Sequence, residues 1–247
     1  MPSLNEKLPE PYWRSPDGKH VLYHADCLTL IHRLGKFDAV VTDPPYGIGE
    51  AAGKNKSRGN LAVAKDYGDH SWDNIPVSEN LMRKVVSSSK KAIIFGGNYY
   101  NLGPTKCYLV WDKENGENDF ADCELAWTNL DKAVRRIRHM WNGMLRKDQE
   151  PRGDHPTQKP VGVMLWCLKQ LPQESTTIID PFAGSGTTGV ASIRLGFKFV
   201  GIERVDAYCK AAARRMQTEW DAQERLRVAK ENYKRRQHKN PLFEDEP

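Results

Sequence analysis

Two apolar, β-branched runs each end in an aspartate followed by proline, and this pairing restricts the fold more than anything else in the chain. Phe37 to Thr42 (Phe-Asp-Ala-Val-Val-Thr) delivers Asp43-Pro44-Pro45-Tyr46-Gly47. Ile178-Ile179 delivers Asp180-Pro181-Phe182-Ala183-Gly184-Ser185-Gly186-Thr187-Thr188, with Asp180 lying 137 residues after Asp43. Short apolar runs bounded by turn residues suit strands buried on both faces. Val21 to Tyr23, Ala92 to Phe95, Tyr108 to Trp111, Glu124 to Thr128 and Lys198 to Ile202 read the same way. Between them, helical spacing runs over Asp26 to Leu34, with Gly35 as a stop, and over Ser78 to Ser88 and Gly186 to Leu195. A further helix begins near Thr157, whose hydroxyl can cap it with Pro160 in the first turn. From Asp206 to about Lys239 the pattern is one long charged helix or two. Strands alternating with helices predict an α/β chain: a mostly parallel sheet with helices on both faces.

The 247 residues suffice for one sizeable domain, so residues 1–247 are read as a single unit. Hydrophobic content of 39% against 28% charged gives an adequate core under a heavily charged surface. No stretch approaches a membrane span, and Met1 to Glu10 lacks an apolar signal region, so a soluble, cytoplasmic protein without membrane contact is expected. The five cysteines are scattered and none is paired as CxxC, so neither a metal site nor a disulfide framework is expected. Net charge is only +5, but it is unevenly spread. Residues 135–152 hold Arg135, Arg136, Arg138, Arg146, Lys147 and Arg152, and residues 225–239 hold a second basic run. Each suits either phosphate contact or a solvated face. Residues 49–75, rich in Gly, Lys, Asn and Ser, read as a loop, and 129–154 show no clear period.

The segment at Asp180 sits between a strand and a helix. Glycines at 184 and 186 let the backbone approach a ligand, and the helix amides that follow offer donors. Glu203 closes the next strand, 17 residues beyond Gly186, where a carboxylate can accept from ribose hydroxyls. This is a nucleoside-binding arrangement, although a tight strand-to-helix turn without a ligand has the same letters. At the first segment, two prolines stiffen the turn. Asp43 and a fixed carbonyl can accept the two N–H bonds of an exocyclic amine, and Tyr46 can stack on the attached ring. An aryl amine is a poor nucleophile because its lone pair is delocalised. Two aligned acceptors free that pair, and fixed proximity to an electrophile supplies the rest of the acceleration. A rigid Pro-Pro turn behind an aspartate is the plain alternative.

Together the two segments resemble the S-adenosylmethionine-dependent amino-methyltransferases of DNA. Asp-Pro-Pro-Tyr matches that family's catalytic motif, Asp-Pro-Phe-Ala-Gly-Ser-Gly its cofactor motif, and their permuted order matches the beta class. Ala25-Asp26-Cys27-Leu28, Trp111-Asp112-Lys113 and His155-Pro156-Thr157-Gln158-Lys159-Pro160 extend the likeness over roughly residues 20–216. The resemblance implies a Rossmann-like methyltransferase sheet and S-adenosyl-L-methionine as cofactor. It assigns Asp26, Cys27, Lys159, Asp180, Phe182, Gly184, Gly186, Thr187 and Glu203 to the cofactor. It assigns Asp43, Pro44, Pro45 and Tyr46 to the amine. It implies transfer to adenine N6 in double-stranded DNA with the base flipped out, since aspartate in that motif usually accompanies adenine. N4 of cytosine is the alternative, and a non-enzymatic nucleic-acid-binding protein is the alternative of another class. The host is then a bacterial or phage-infected cell.

The insertion near 129–154 is short for a recognition element, which points to a short or relaxed target sequence, with His139 and Trp141 as wedge or stacking groups. The basic helical extension near 206–240 can follow phosphate, join a homodimer or simply be solvated. Asn240-Pro-Leu-Phe-Glu faintly resembles a sliding-clamp-binding tail.

Overall fold

The computed structural model describes residues 7–47, 76–115, 121–142, 145–146 and 158–238. Its strands are β1 (Trp13–Arg14), β2 (His20–His24), β3 (Phe37–Thr42), β4 (Ser89–Phe95), β5 (Tyr108–Asp112), β6 (Cys123–Thr128), β7 (Arg135–Arg138), β8 (Trp141–Asn142), β9 (Leu145–Arg146), β10 (Thr177–Asp180) and β11 (Lys198–Glu203). Its helices are α1 (Cys27–Leu30), α2 (Glu79–Ser87), α3 (Val161–Leu168), α4 (Thr187–Leu195) and α5 (Asp206–His238).

Among the described residues, nine strands form one sheet in the order β1-β2-β11-β10-β3-β4-β6-β5-β7, while β8 and β9 pair separately as a hairpin. The five strands β2-β11-β10-β3-β4 are mutually parallel, so their carboxyl ends share one edge. Strand β6 runs antiparallel to β4, and β5 antiparallel to β6. The start of β6 and the end of β5 therefore reach that same edge. Successive buried residues of β3 serve opposite faces. Ala39 and Val41 join the core under α3 and α4, and Val40 joins the one formed with α1 and α2. The expected mostly parallel, two-faced α/β architecture is what the chain forms.

Several boundaries differ from the sequence reading. The helix expected near Thr157, a residue outside the described set, starts at Val161 with Pro160 as an extended N-cap lacking a side-chain cap bond. Proline has no N–H to donate, so a helix can begin directly behind it. After one turn, α1 tightens into a 3-10 turn at Ile31–Arg33. The long basic helix is a single α5. The aperiodic stretch after residue 129 contributes β7 to the sheet, parallel to β5. Its Arg-Arg-Ile-Arg sequence offers one apolar residue in four, so no strand pattern is visible. The loop 49–75 and the tail at Asn240 lie outside the described residues.

Candidate active site

Asp43 is the first residue past β3, and Asp180 ends the neighbouring β10. The Thr42 hydroxyl donates to Asp180 Oδ1 at 2.6 Å, which ties the two strand ends together. The Phe182 amide donates to the same oxygen at 3.1 Å, so Asp180 also shapes the turn behind it. Asp180 is buried, and burial pushes its carboxyl up to about 6. Its carboxylate is therefore occupied in holding the turn.

Glu203, at the end of β11, accepts from the Gly184 amide through Oε2 and from the Val205 amide through Oε1, both at 2.8 Å. Burial raises its carboxyl, with these amides pulling against it. Gly186 adopts φ +77 at the head of α4, and a Cβ there would lie 2.8 Å from the Cβ of Ala212 on α5. Close packing of α4 on α5 leaves no room for a side chain at this position. Thr187 is buried, and its Oγ1 accepts at 3.0 Å from Arg215, which also donates to the Ser185 carbonyl at 2.7 Å. Arg215 thus clamps the turn from α5, a role with no marker in the sequence beyond helical position.

Asp26 caps α1 by accepting from the Leu28 amide at 2.8 Å. It lies beside Glu203, whose carbonyl accepts from the Ala25 amide. Cys27 packs into the apolar cluster under α1, where burial pushes its thiol up to about 12. Phe182 is half-buried against the same cluster.

Around Asp43, Tyr46 donates its hydroxyl to Oδ1, and the Lys159 ammonium donates to Oδ2 at 2.5 Å. Lys159 is only 8% exposed and also lies 3.1 Å from Glu124 Oε2. Glu124 in turn pairs with Lys113 at 2.7 Å. Burial would lower Lys159, but the two carboxylates outweigh it and hold the ammonium above its ordinary value. Burial pushes Asp43 up, with Lys159 opposing and Glu124 reinforcing the rise. The Tyr46 ring stacks on Tyr99 with centroids 5.0 Å apart and planes 18° from parallel. Tyr99 is 48% exposed. The Pro45 carbonyl accepts from the Tyr100 hydroxyl at 2.5 Å, so it is already engaged, while Pro44 is buried.

Glu124, Lys113, Tyr99 and Arg215 were not marked as site residues by the sequence. Glu124 was visible only as the start of a strand, since nothing local reveals which strand end it will share. His139 is buried, and its carbonyl accepts from Trp111 Nε1 at 2.8 Å. Trp141 packs against the α3–α4 core. Arg136 and Arg138 stand exposed at the site edge, 3.6 and 3.5 Å from Asp112. A cleft of about 450 Å³ between Asp17, Phe37 and Lys198 lies at the opposite edge of the sheet, away from Asp43.

Along one edge, the chain thus assembles a carboxylate held on backbone amides, a buried ammonium, an aromatic side chain and a second carboxylate. Each Glu203 oxygen has a further lone pair available for a vicinal diol. The buried ammonium suits a carboxylate, so this donor set fits a nucleoside bearing an amino-acid end.

Comparison with known proteins agrees. A family model described as DNA methylase matches residues 94–214. The Type II methyltransferase M2.LlaDCHI of Lactococcus lactis subsp. cremoris is 28% identical over 256 residues, covering 85% of this chain and 93% of its own. The Type II methyltransferase M2.DpnII of Streptococcus pneumoniae is 27% identical, covering 86% and 94%. Among solved structures, the M1.HpyAVI–SAM complex superposes with a TM-score of 0.53 at 21% identity, covering 80% of this chain and 98% of that one. The cytosine-N4-specific PvuII DNA methyltransferase gives 0.52 at 16%, covering 83% and 88%. The permuted order of motifs, the strand edge that unites them and these relatives together make the chain similar to the S-adenosylmethionine-dependent DNA amino-methyltransferases.

Proposed function

We propose that this protein methylates the N6 amine of adenine in double-stranded DNA. The carrying observation is the position of Asp43: one strand from the Gly184 turn, tied to it through Thr42 and Asp180, and flanked by Tyr46 and Lys159. An aspartate at the head of the Pro-Pro-Tyr turn supports adenine over cytosine N4. The fold is compatible with both bases, since the cytosine-N4-specific PvuII enzyme has a similar fold. The Type II relatives support a place beside a restriction partner. The order of the motifs supports the beta class, with residues 1–247 as one methyltransferase domain.

In this reading S-adenosylmethionine supplies an electrophilic methyl group. Glu203 and Asp26 hold the sugar end from neighbouring strand ends, and Phe182 lies against the ring. Gly184, Gly186 and Thr187 give the turn its shape, with Asp180 and Arg215 as its braces. Lys159 takes the carboxylate end. Asp43 accepts one amine N–H and stabilises the positive charge that develops on nitrogen. With the Pro45 carbonyl engaged by Tyr100, the Pro44 carbonyl takes the second N–H. Tyr46 orients Asp43 and stacks on the base. Flipping the base costs a few kcal/mol, offset by stacking and by phosphate contacts. Arg135, Arg136 and Arg138 on β7 suit those contacts, and so short an element supports a short or relaxed target sequence.

The test is transfer of labelled methyl from S-adenosylmethionine to DNA by wild type and Asp43→Ala, followed by nucleoside analysis. The expected product is N6-methyladenine, with Asp43→Ala reduced at least about a thousandfold, the scale of losing aligned charge stabilisation and positioning together. N4-methylcytosine would overturn the base assignment. Equal labelling by the variant would overturn the site.

A further inference from the structure

The Lys159 ammonium lies between two carboxylates and is aligned with only one of them. It donates to Asp43 Oδ2 at 2.5 Å, while Glu124 Oε2, at 3.1 Å, is buried and has no aligned hydrogen bond. The other Glu124 oxygen is held by Lys113 at 2.7 Å. Lys113 lies over the Trp111 ring, 5.2 Å from its centroid. Glu124 sits opposite Trp111 in the β5–β6 register, so both strands fix it at the carboxyl edge. The two ammonium and two carboxylate groups balance in charge, which lets the cluster persist in a water-poor site.

In this geometry Lys159 occupies one approach to Asp43. Asp43 has one oxygen bonded by Tyr46 and the other by Lys159. Each oxygen keeps a further lone pair, but an amine approaching Oδ2 competes with Lys159 for that side of the carboxylate. A lysine leaving Asp43 needs anions around it in the buried site, and the cofactor carboxylate proposed for it supplies one side. Among the described residues, Glu124 Oε2, 3.1 Å away, is the protein acceptor for the other side.

Building on the methyltransferase reading above, we propose that Glu124 is a positioning residue: it receives the Lys159 ammonium when the target amine takes Asp43 Oδ2. Lys113 keeps Glu124 ionised and pointed toward Lys159. Glu124 touches neither the amine nor the methyl group and acts through Lys159. Among the described residues, the ionisable groups facing Asp43 are Lys159 from the segment before α3, Glu124 from β6, Tyr46 from its own turn and Asp180 from β10.

The test uses Glu124→Gln, Glu124→Asp and Lys113→Met in the full-length protein. The carboxyl signal of Asp43 is titrated by NMR without cofactor, and kcat and cofactor affinity are measured separately. Removing the Glu124 charge moves the Asp43 titration to lower pH. Removing Lys113 leaves Glu124 less compensated and moves it to higher pH. Glu124→Gln lowers kcat ten- to a hundredfold with cofactor affinity within about threefold of wild type, and Glu124→Asp restores part of kcat. An Asp43 titration that does not move in opposite directions in Glu124→Gln and Lys113→Met overturns the proposal. So does a kcat loss matched by an equal loss of cofactor affinity, or a Glu124→Gln variant with wild-type kcat. The thermal midpoint of each variant is recorded. If Glu124→Gln does not fold, Glu124→Asp and Lys113→Met decide by the same criteria. Failure of the methyltransferase reading itself appears differently: wild type then labels no DNA, whatever the Asp43 titration does.

Discussion

Gly96 offers a sharp test of how Tyr46 is held. It follows β4 with φ 63 and ψ 25, a left-handed conformation, and a Cβ there would lie 2.1 Å from Tyr46 Cε1 and 2.5 Å from Cδ1. The ring cannot slide away freely, because Tyr99 stacks on it and its hydroxyl is bonded to Asp43. Gly96→Ala therefore carries two penalties. Left-handed backbone in a non-glycine residue costs about 1 kcal/mol. Displacing the ring breaks a hydrogen bond to a charged acceptor, about 1.5–3 kcal/mol. The sum is about 3 kcal/mol. Gly103→Ala is the control: φ is +76, yet nothing lies within 4 Å of the added Cβ, so only the backbone penalty applies. Urea denaturation of both variants should give a difference of about 2 kcal/mol. Methyl transfer should fall at least about tenfold in Gly96→Ala, since each 1.4 kcal/mol is a factor of ten, and remain near wild type in Gly103→Ala. Equal destabilisation of the two, with full activity in Gly96→Ala, would refute this account of Tyr46.

The remaining predictions concern pH and stability, where two carboxylates at opposite ends of the sheet behave oppositely. Asp38 accepts from the Thr176 and Thr177 amides, both hydroxyls and Lys90, which hold its carboxyl well below the ordinary range. Its contribution is therefore present above about pH 4 and lost as pH falls, so Asp38→Asn should cost about 1–2 kcal/mol at neutral pH and less in acid. Asp180, pushed up to about 6 by burial, has the reverse sign. Its contribution is complete below about pH 4 and is lost as pH rises through 6, so Asp180→Asn should gain on wild type by roughly 3 kcal/mol between pH 4 and pH 7. Denaturant titrations at pH 4 and pH 7 check Asp180→Asn, titrations from about pH 4 down to about pH 2 check Asp38→Asn, and a pH-independent difference across its own window would contradict the environment assigned to either.

Much of this was legible in the sequence because buried strands leave a strong signature. The run Phe37 to Thr42 was read to its ends, and the Asp180, Gly184 and Glu203 series follows from a strand-turn-helix-strand pattern whose pieces are local. What escaped depends on topology. Glu124 reaches Lys159 only because β6 turns antiparallel after β4, a choice that no residue near Glu124 encodes. Strand β7 was hidden by its arginines, which stay exposed on an edge strand with one half-buried isoleucine. The close approach of Ala212 to Gly186 depends on a helix distant in sequence. Of His139 and Trp141, named as polar and aromatic members of a basic stretch, the first is buried and the second half-buried against the core, which only the tertiary fold decides.

The central claim is that Asp43 and the Gly184–Glu203 turn are two halves of one site with separate tasks. The most direct measurement is S-adenosylmethionine affinity by calorimetry and single-turnover methyl transfer to DNA, made on the same preparations of Asp43→Asn and Glu203→Ala. The account predicts that Asp43→Asn binds cofactor within about threefold of wild type but loses transfer by at least about a hundredfold. It predicts that Glu203→Ala loses cofactor affinity by at least about tenfold, the scale of removing a charged hydrogen-bond acceptor. Wild-type affinity in Glu203→Ala, or undiminished transfer by Asp43→Asn, would contradict it.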